Sequence, residues 1–234
     1  SDWLTTGPSV NQFEEKFSQY IEAPHSIAVA NGTAALHLCA MALGTKPGDE
    51  VLVSGITFAA SANCIRYCGG NVSFVDIDPN TWLLDLNHVE SQLKSGKFKG
   101  IVAVDLMGLP VPLHELRFLA DKYGAWIIED ACHALGATYE DNKGIWQKSG
   151  NGTHADLSIF SFHPVKHLTT AEGGMVTTAN EQLSKKVERL RTHGITKDPS
   201  EFINNNDGPW YMEMQELGFN YRLSDLQCAL GTSQ

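Results

Sequence analysis

Residues 157–166 read Leu-Ser-Ile-Phe-Ser-Phe-His-Pro-Val-Lys, an apolar run that stops abruptly at a proline. Aromatic and β-branched residues favour strands, and proline cannot donate to a sheet ladder. We therefore predict a buried strand over residues 157–160, with Lys166 delivered just beyond its carboxyl end. Taken alone, Lys166 is most simply a solvated surface lysine, because lysines are mostly exposed. Its position also suits a reactive amine, which must be held against an electrophile such as an aldehyde.

The same alternation of apolar runs and helical patterns extends through the chain. Buried strands are predicted at residues 26–30, 51–54, 72–75, 101–104, 126–128, 157–160 and 175–178. Helices are predicted at residues 34–43, 59–68, 88–93, 113–123 and 181–193. Continuous apolar strands indicate a sheet covered on both faces, and the repeated β-then-α order indicates crossover connections. The expected fold class is therefore α/β, with a mostly parallel sheet between helices.

Composition excludes several classes of partner. With 234 residues, 42% of them hydrophobic, the chain is long enough for one large domain with a sizeable core. A formal net charge of −10 provides no basic field, so nucleic acid and anionic membranes are poor partners, and an anionic ligand needs local donors. The five cysteines are odd in number and widely spread, and neither a signal-peptide pattern nor an apolar membrane span occurs. These features favour the cytoplasm.

The last residues have the pattern of a helix start. Residues 223–234 carry Ser224 and Asp225 near the beginning of a helical segment, and the chain stops at Gln234 without a cap or turn. We expect residues 1–234 to form one large domain that ends where the connection to a further, smaller domain begins.

An acidic pair follows another predicted strand. Glu129 and Asp130 come directly after residues 126–128, at the carboxyl end where open α/β sheets place their ligands. A carboxylate there can face a cationic ligand atom such as the pyridine nitrogen of pyridoxal phosphate, and keep it protonated. A metal-binding pair or a solvated acidic pair explains this pattern equally well.

A phosphate cradle is predicted where the strand ending at residue 30 meets a helix. Gly32, Thr33 and Ala34 leave backbone N–H groups unobstructed at the helix N-terminus, where the dipole favours phosphate. Ser161, at the end of the strand that leads to Lys166, could add a contact. The specificity of this signal is low, because Gly-Thr at a helix start is also an ordinary cap.

Two further side chains follow strands at comparable positions. Phe58 could stack on a flat ring, although an aromatic residue there is more often part of the core. His133 follows the acidic pair by three residues, and a structural histidine is an equally good interpretation. Cys64 and Cys68 share a helical face without a second ligand pair, so no metal site is predicted. Tyr139 and Lys143 have the Y-x-x-x-K spacing of some dehydrogenases, but the residues around Lys143 predict a turn rather than the helix that such a site needs.

Taken together, these segments resemble the DegT/DnrJ/StrS group of nucleotide-sugar aminotransferases that depend on pyridoxal phosphate. The resemblance covers essentially the whole chain and is carried by residues 3–8, 31–36, 56–58, 129–131, 161–166 and 218–222. It implies the large domain of a type I, aspartate-aminotransferase-like fold with a mostly parallel mixed sheet, and a smaller C-terminal domain that these residues lack.

The resemblance also implies roles for individual residues. Lys166 resembles the lysine that forms the Schiff base with the cofactor and moves the proton, and Asp130 resembles the partner of the pyridine nitrogen. Asn220 matches an asparagine that reaches the cofactor phosphate of the neighbouring subunit, which implies a homodimer with shared active sites. The resemblance also implies that Phe58 stacks on the cofactor ring and that His133 lies beside it. The phosphate cradle that it implies is formed by Gly32, Thr33, Ala34 and Ser161.

Within the family, residues 57–69 and 74–78 resemble the members that act in pseudaminic acid synthesis. This resemblance implies that a UDP-linked 4-keto-6-deoxy-N-acetylhexosamine is aminated with L-glutamate as donor. The dehydratase branch of the family carries histidine in place of the lysine, so Lys166 argues for transamination. Two alternatives stay open: another type I pyridoxal enzyme, such as an amino-acid aminotransferase or a desulfurase, and a non-catalytic protein that binds pyridoxal phosphate or a nucleotide sugar.

Overall fold

A computed structural model describes residues 3–204 and 208–234. Within these residues the helices are α1 (Pro8–Ile21), α2 (Gly32–Ala42), α3 (Ala59–Tyr67), α4 (Leu86–Leu93), α5 (Leu113–Tyr123), α6 (Glu181–Arg191) and α7 (Asp225–Ser233). The strands are β1 (His25–Val29), β2 (Glu50–Ser54), β3 (Asn71–Val75), β4 (Phe98–Val104), β5 (Trp126–Asp130), β6 (Thr138–Glu140), β7 (Trp146–Lys148), β8 (Leu157–Ser161), β9 (Gly174–Thr178), β10 (Ile195–Thr196) and β11 (Glu213–Met214). None of these helices is both long and apolar enough to cross a membrane.

Seven strands form one mixed sheet in the order β1-β9-β8-β5-β4-β2-β3. The run from β8 to β3 is parallel, whereas β9 pairs antiparallel with both β8 and β1. The predicted mostly parallel sheet is confirmed. Because β8, β5, β4 and β2 all point the same way, their carboxyl ends meet at one edge of the sheet.

Helices cover both faces of this sheet. On one face, α2, α3 and α6 pack on side chains such as Val53 and Ile128. On the other face, α4 and α5 pack on residues such as Leu52 and Ile127, and α1 and α7 pack around Phe160. Neighbouring residues of one strand therefore enter different cores, as expected for a strand that is buried on both sides.

Two features differ from the sequence patterns. The strand at β3 exists, but it lies at the sheet edge and leaves Phe74 60% exposed, so it is not the buried strand that was predicted. The helix α1 was not predicted, although its buried residues Val10, Phe13, Phe17 and Ile21 recur at helical spacing. The turn expected around Lys143 is confirmed, because it joins β6 to β7.

The helix start expected near Ser224 is confirmed by a complete capping box. The Ser224 side chain accepts from the Gln227 amide, and the Gln227 side chain bonds back to residue 224. The next residue, Asp225, is fully buried and accepts hydrogen bonds from the Ser9 amide (2.7 Å) and hydroxyl (2.9 Å). This carboxylate therefore caps α1 and joins it to α7 across most of the chain.

We expect Asp225→Ala to lower the free energy of unfolding by about 2–4 kcal/mol, because it leaves the partly buried amide and hydroxyl of Ser9 without their acceptor. Asp85 provides a matched control, since it caps α4 through one bond to the Asn87 amide at the surface. Asp85→Ala should cost only about 1 kcal/mol. Urea unfolding measures both free energies. An equal decrease in the free energy of unfolding for the two variants would contradict the larger contribution proposed for the Asp225 contact.

Candidate active site

A cleft of about 1270 Å³ lies at the carboxyl edge of the parallel strands. This is the place where open α/β sheets bind ligands. Eight of the nine predicted site residues line it: Gly32, Thr33, Ala34, Phe58, Asp130, His133, Ser161 and Lys166. They come from segments that follow β1, β2, β5 and β8, so the topology alone brings them together.

Asp130 is the last residue of β5 and is 5% exposed. Its Oδ2 accepts a 2.7 Å hydrogen bond from the Ser61 hydroxyl, and its Oδ1 accepts from the Cys132 amide at 3.2 Å. Ser61 is itself paired with the Thr57 hydroxyl at 2.7 Å. Donors to both carboxylate oxygens fix the orientation of the side chain. Ser61 was not predicted as a site residue, because its only signal in the sequence is its position one turn after Phe58 in a helix of small residues.

The other member of the acidic pair has a different environment. Glu129 is 1% exposed and accepts hydrogen bonds from the Gly150 amide and the Ser158 hydroxyl. It does not line the cleft, because consecutive residues of a strand point to opposite faces. The pair therefore divides into one carboxylate at the cleft and one carboxyl group in the core.

The start of α2 forms a cradle against the end of β8. A Cβ built on Gly32 would lie 3.0 Å from the Ser161 Cβ and 3.4 Å from its Oγ, so only glycine leaves room there for a ligand atom. The Gly32 and Thr33 amides lie in the first helical turn, where no intrahelical acceptor exists. The expected Ala34 donor is already used, since its amide donates to Asn31 Oδ1 at 2.8 Å. The amides of Gly32 and Thr33 and the Ser161 hydroxyl remain the donors suited to phosphate.

Lys166 lies in a tight turn directly after β8. Its amide donates to the His163 carbonyl at 2.9 Å, while the buried Phe162 amide bonds to the Gly173 carbonyl at 2.8 Å. The turn is thereby tied to the start of β9. Lys166 is half-buried as a residue, and its positive charge acts on Cys132 and His133. The interpretation of Lys166 as a fully solvated surface lysine is therefore wrong.

His133 faces the same space in a defined state. Its Nδ1 accepts a 3.3 Å hydrogen bond from the Met107 amide, so in the neutral ring the proton resides on Nε2. Burial lowers the pKa of His133, and the charge of Lys166 lowers it further. The ring is thus a neutral hydrogen-bond donor at neutral pH.

Aromatic side chains form one side of the cleft. Phe58 is 75% exposed at the start of α3, so the core interpretation for this residue is wrong. His37 also lines the cleft, with its Nδ1 3.3 Å from the Tyr221 hydroxyl, and Tyr221 stacks on Phe219 at 4.9 Å between ring centroids. Burial lowers the pKa of His37. His37, Phe219 and Tyr221 were not predicted as cleft residues, because His37 is separated from Tyr221 by 184 positions.

Asn220 is the one predicted site residue outside the cleft. Its side chain is exposed, and its backbone forms a β-bridge with Thr192. Its expected contact with a neighbouring subunit stays a prediction. In the described part of the chain, no group of three His, Cys, Asp or Glu side chains could hold a metal ion. The Cys64 thiol bonds to the Ser61 carbonyl and is buried, and burial raises the pKa of Cys68 to about 11.

The chain is similar to several known proteins over its whole length. The UDP-4-amino-4,6-dideoxy-N-acetyl-beta-L-altrosamine transaminase of Campylobacter jejuni is 43% identical over 233 residues, which are 99% of this chain and 57% of that protein. Helicobacter pylori PseC, an aminotransferase involved in the biosynthesis of pseudoaminic acid, superposes with a TM-score of 0.86 at 31% identity, covering 100% of this chain and 59% of PseC. Streptococcus pneumoniae Spr1654 in its PLP form gives a TM-score of 0.86 at 31% identity, with coverages of 100% and 60%.

The chain spans less than two thirds of the length of each of these relatives. The structural likeness confirms the α/β fold that the sequence resemblance implied. The family model described as the DegT/DnrJ/EryC1/StrS aminotransferase family matches residues 1–234, and the chain therefore belongs to this family.

Proposed function

We propose that this chain is the cofactor-binding part of an enzyme that transfers an amino group to a sugar nucleotide. The observation that carries the proposal is the placement of Lys166 and Asp130 in one cleft with a phosphate cradle beside them. Pyridoxal phosphate is the cofactor that the family and the PLP form of Spr1654 indicate. When bound, it supplies a ring that accepts electrons from the substrate carbon during transamination.

The residues present fit this cofactor. The Gly32 and Thr33 amides and the Ser161 hydroxyl would hold its phosphate, because the missing Cβ of Gly32 leaves space between them. Asp130, oriented by Ser61, would pair with the pyridine nitrogen. Phe58 would stack on one ring face, and neutral His133 would donate from Nε2 beside the ring.

Lys166 has two roles in the proposed reaction. Its amine is the group that would bind the cofactor aldehyde covalently, and, once displaced by the substrate amine, it would carry a proton from the substrate carbon. In the first half-reaction L-glutamate would leave its amino group on the enzyme and depart as 2-oxoglutarate, with one water supplying the new keto oxygen. In the second, a keto-sugar takes up that amino group and its carbonyl oxygen leaves as water.

We infer the substrate from similarity to a named relative. The 43% identity to the Campylobacter transaminase supports a UDP-linked 4-keto-6-deoxy-N-acetylhexosamine as acceptor, and pseudaminic-acid-type synthesis as the context. A homodimer with shared sites is proposed from the exposed Asn220, whose side chain is free of the cleft of its own chain. Cytoplasmic location is proposed from the five cysteines, all of which are unpaired thiols.

We expect Lys166→Ala to reduce sugar amination by at least about 10²–10⁴-fold, because it removes the proton carrier. The visible absorption of the bound cofactor should also change, and glutamate should no longer bleach it. Lys97→Ala serves as the control, since Lys97 is an exposed lysine remote from the cleft. The sugar product is measured by mass spectrometry. Undiminished transamination by the Lys166 variant would rule out Lys166 as the catalytic lysine.

Substrate profiling separates the proposal from its rivals. Incubation with cysteine should release no alanine, and bleaching by glutamate should be reversed by the UDP-keto-sugar. Alanine release without sugar amination would favour a desulfurase, whereas a cofactor band that never responds to glutamate would favour a passive binding protein.

Asp130→Asn should lower the rate of the glutamate half-reaction by about 10²–10³-fold, because a neutral amide no longer stabilises a protonated pyridine nitrogen. Ser61→Ala should have a smaller effect, since it removes one of the two donors that orient Asp130 and keeps the charge. Stopped-flow absorbance measures both rates. A larger effect of Ser61→Ala than of Asp130→Asn would contradict the assigned roles.

Ser161→Ala should weaken binding of pyridoxal phosphate about 10- to 100-fold, the value of a lost hydrogen bond to a charged group. Binding of pyridoxal, which has no phosphate, should be unchanged. Fluorescence titration with the two compounds provides the comparison. An equal loss for both would place Ser161 outside the phosphate cradle.

A further inference from the structure

Two buried carboxyl groups lie in the core behind the cleft, and the proposed transamination uses neither. Asp105, at the end of β4, is 0% exposed, and Glu129 of β5 is 1% exposed. Glu129 accepts hydrogen bonds from the Gly150 amide at 3.0 Å and the Ser158 hydroxyl at 2.5 Å. Asp105 Oδ1 accepts from the Val111 amide at 2.9 Å, but its Oδ2 is buried without a donor. An ionised Asp105 would therefore leave half of its carboxylate unsatisfied.

The two side chains lie on the same face of neighbouring strands, because Glu129 pairs with Ala103 and Asp105 follows Ala103 by two residues, and their carboxyl groups act on each other electrostatically. Two adjacent carboxylates repel each other strongly in a medium of low dielectric constant, so such pairs retain a proton. Burial raises the pKa of Asp105 well above its ordinary value, and the charge of Glu129 raises it further. Burial also raises the pKa of Glu129, but the Ser158 and Asp105 hydrogen bonds oppose this rise. Asp105 is thus the protonated member, and its proton supplies the donor that its Oδ2 otherwise lacks.

Neighbouring groups also change the pKa values of these buried side chains. The charge of Asp130, which follows Glu129 on β5, raises the pKa of Glu129. Burial, followed by the charges of Glu129, Asp105 and Asp141, raises the pKa of the Tyr139 phenol in β6, so it stays neutral. The nearby Ser149 hydroxyl lowers the pKa of Asp105 in part.

Asp105 also organises the turn that follows β4. Its carbonyl accepts from the Gly108 amide at 3.1 Å, and its side chain accepts from the Val111 amide. Between them Met107 has left-handed backbone angles (φ 54°, ψ 22°), which a residue with a Cβ adopts only when its surroundings hold it there. The amide of Met107 is the donor to His133 Nδ1. The buried pair is therefore connected to the cleft through one short turn.

We propose that Asp105 and Glu129 share one proton and act as a positioning pair, which holds the 105–111 turn so that the Met107 amide fixes His133 with its Nε2 proton toward the cleft. Asp105 and Glu129 touch no reacting atom in this arrangement. The pair sets the hydrogen-bonding state of His133, whose pKa is also lowered by the charges of Lys166 and His167 and raised by that of Asp130. The value of that state for catalysis rests on the proposed function, but both tests below are made without substrate or cofactor, so their failure is distinct from failure of the proposed function.

The first test is the pH dependence of stability. A carboxyl group whose pKa is raised in the folded state stabilises fully below its unfolded value, near pH 4, and this stabilisation is lost as pH rises toward the folded pKa. Between pH 5 and 7 the retained proton should shift the unfolding equilibrium constant of the wild-type chain by up to tenfold per pH unit toward unfolding. Asp105→Asn keeps an acceptor for Val111 and a donor for Glu129 but cannot titrate. The loss of stability with rising pH that comes from the retained proton should therefore be missing in this variant. Identical pH slopes for the two proteins, measured by urea unfolding, would overturn the shared proton.

The second test is the ring state of His133. ¹⁵N spectra of the histidine-labelled chain should show the Nε2–H tautomer for His133 in the wild type and in Asp105→Asn. Asp105→Ala should shift the ring toward mixed tautomers, because it frees the Val111 amide and the turn. Gly108→Ala is a second variant that perturbs the turn without touching the pair, since a Cβ there would lie 2.8 Å from the His133 carbonyl at φ +86°. Unchanged His133 signals in both folded alanine variants would overturn the positioning role, and Gly108→Ala decides alone if Asp105→Ala does not fold.

Discussion

The parallel hydrogen bonding of β8, β5, β4 and β2 is the constraint on which the rest of the structure depends. Parallel strands must all end at the same edge, so whatever follows them is gathered in one place. In this chain the residues that follow are a hydroxyl, two carboxyl groups and an aromatic ring, at Ser161, Asp130, Asp105 and Phe58. The antiparallel strand β9 then brings Gly174 against Asn31, where a Cβ would lie 2.6 Å from the Asn31 carbonyl carbon. This close approach places the start of α2 beside the end of β8.

Several polar groups at that edge are held in place by a neighbouring group. Ser61 orients Asp130, Asn31 caps α2, and the Met107 amide orients His133. These contacts fix rotamers and tautomers before any ligand binds, which reduces the ordering cost of binding. The buried pair of Asp105 and Glu129 extends the same arrangement into the core, where a retained proton replaces a missing donor.

Most strands and the central candidates could be predicted from local patterns, because an apolar run followed by Asp130 or Lys166 is visible in a short window of sequence. The edge position of β3 could not be predicted, because it depends on the order of the strands in the sheet rather than on the residue types around Phe74. The supporting contacts could not be predicted either. Ser61 meets Asp130 across 69 positions, and only the folded sheet brings these residues together. The capping role of Asn31, which occupies the Ala34 amide, is local but depends on a side-chain rotamer.

The central claim is that this cleft holds pyridoxal phosphate on one particular amine. The most direct measurement is to incubate the 234-residue chain with pyridoxal phosphate, reduce the complex with borohydride and locate the modified lysine by peptide mass spectrometry. The geometry of the strand ends, with Asp130, the α2 cradle and Ser161 around one amine, predicts stoichiometric modification at Lys166. Modification concentrated at a different lysine, or spread evenly over the surface lysines, would contradict it.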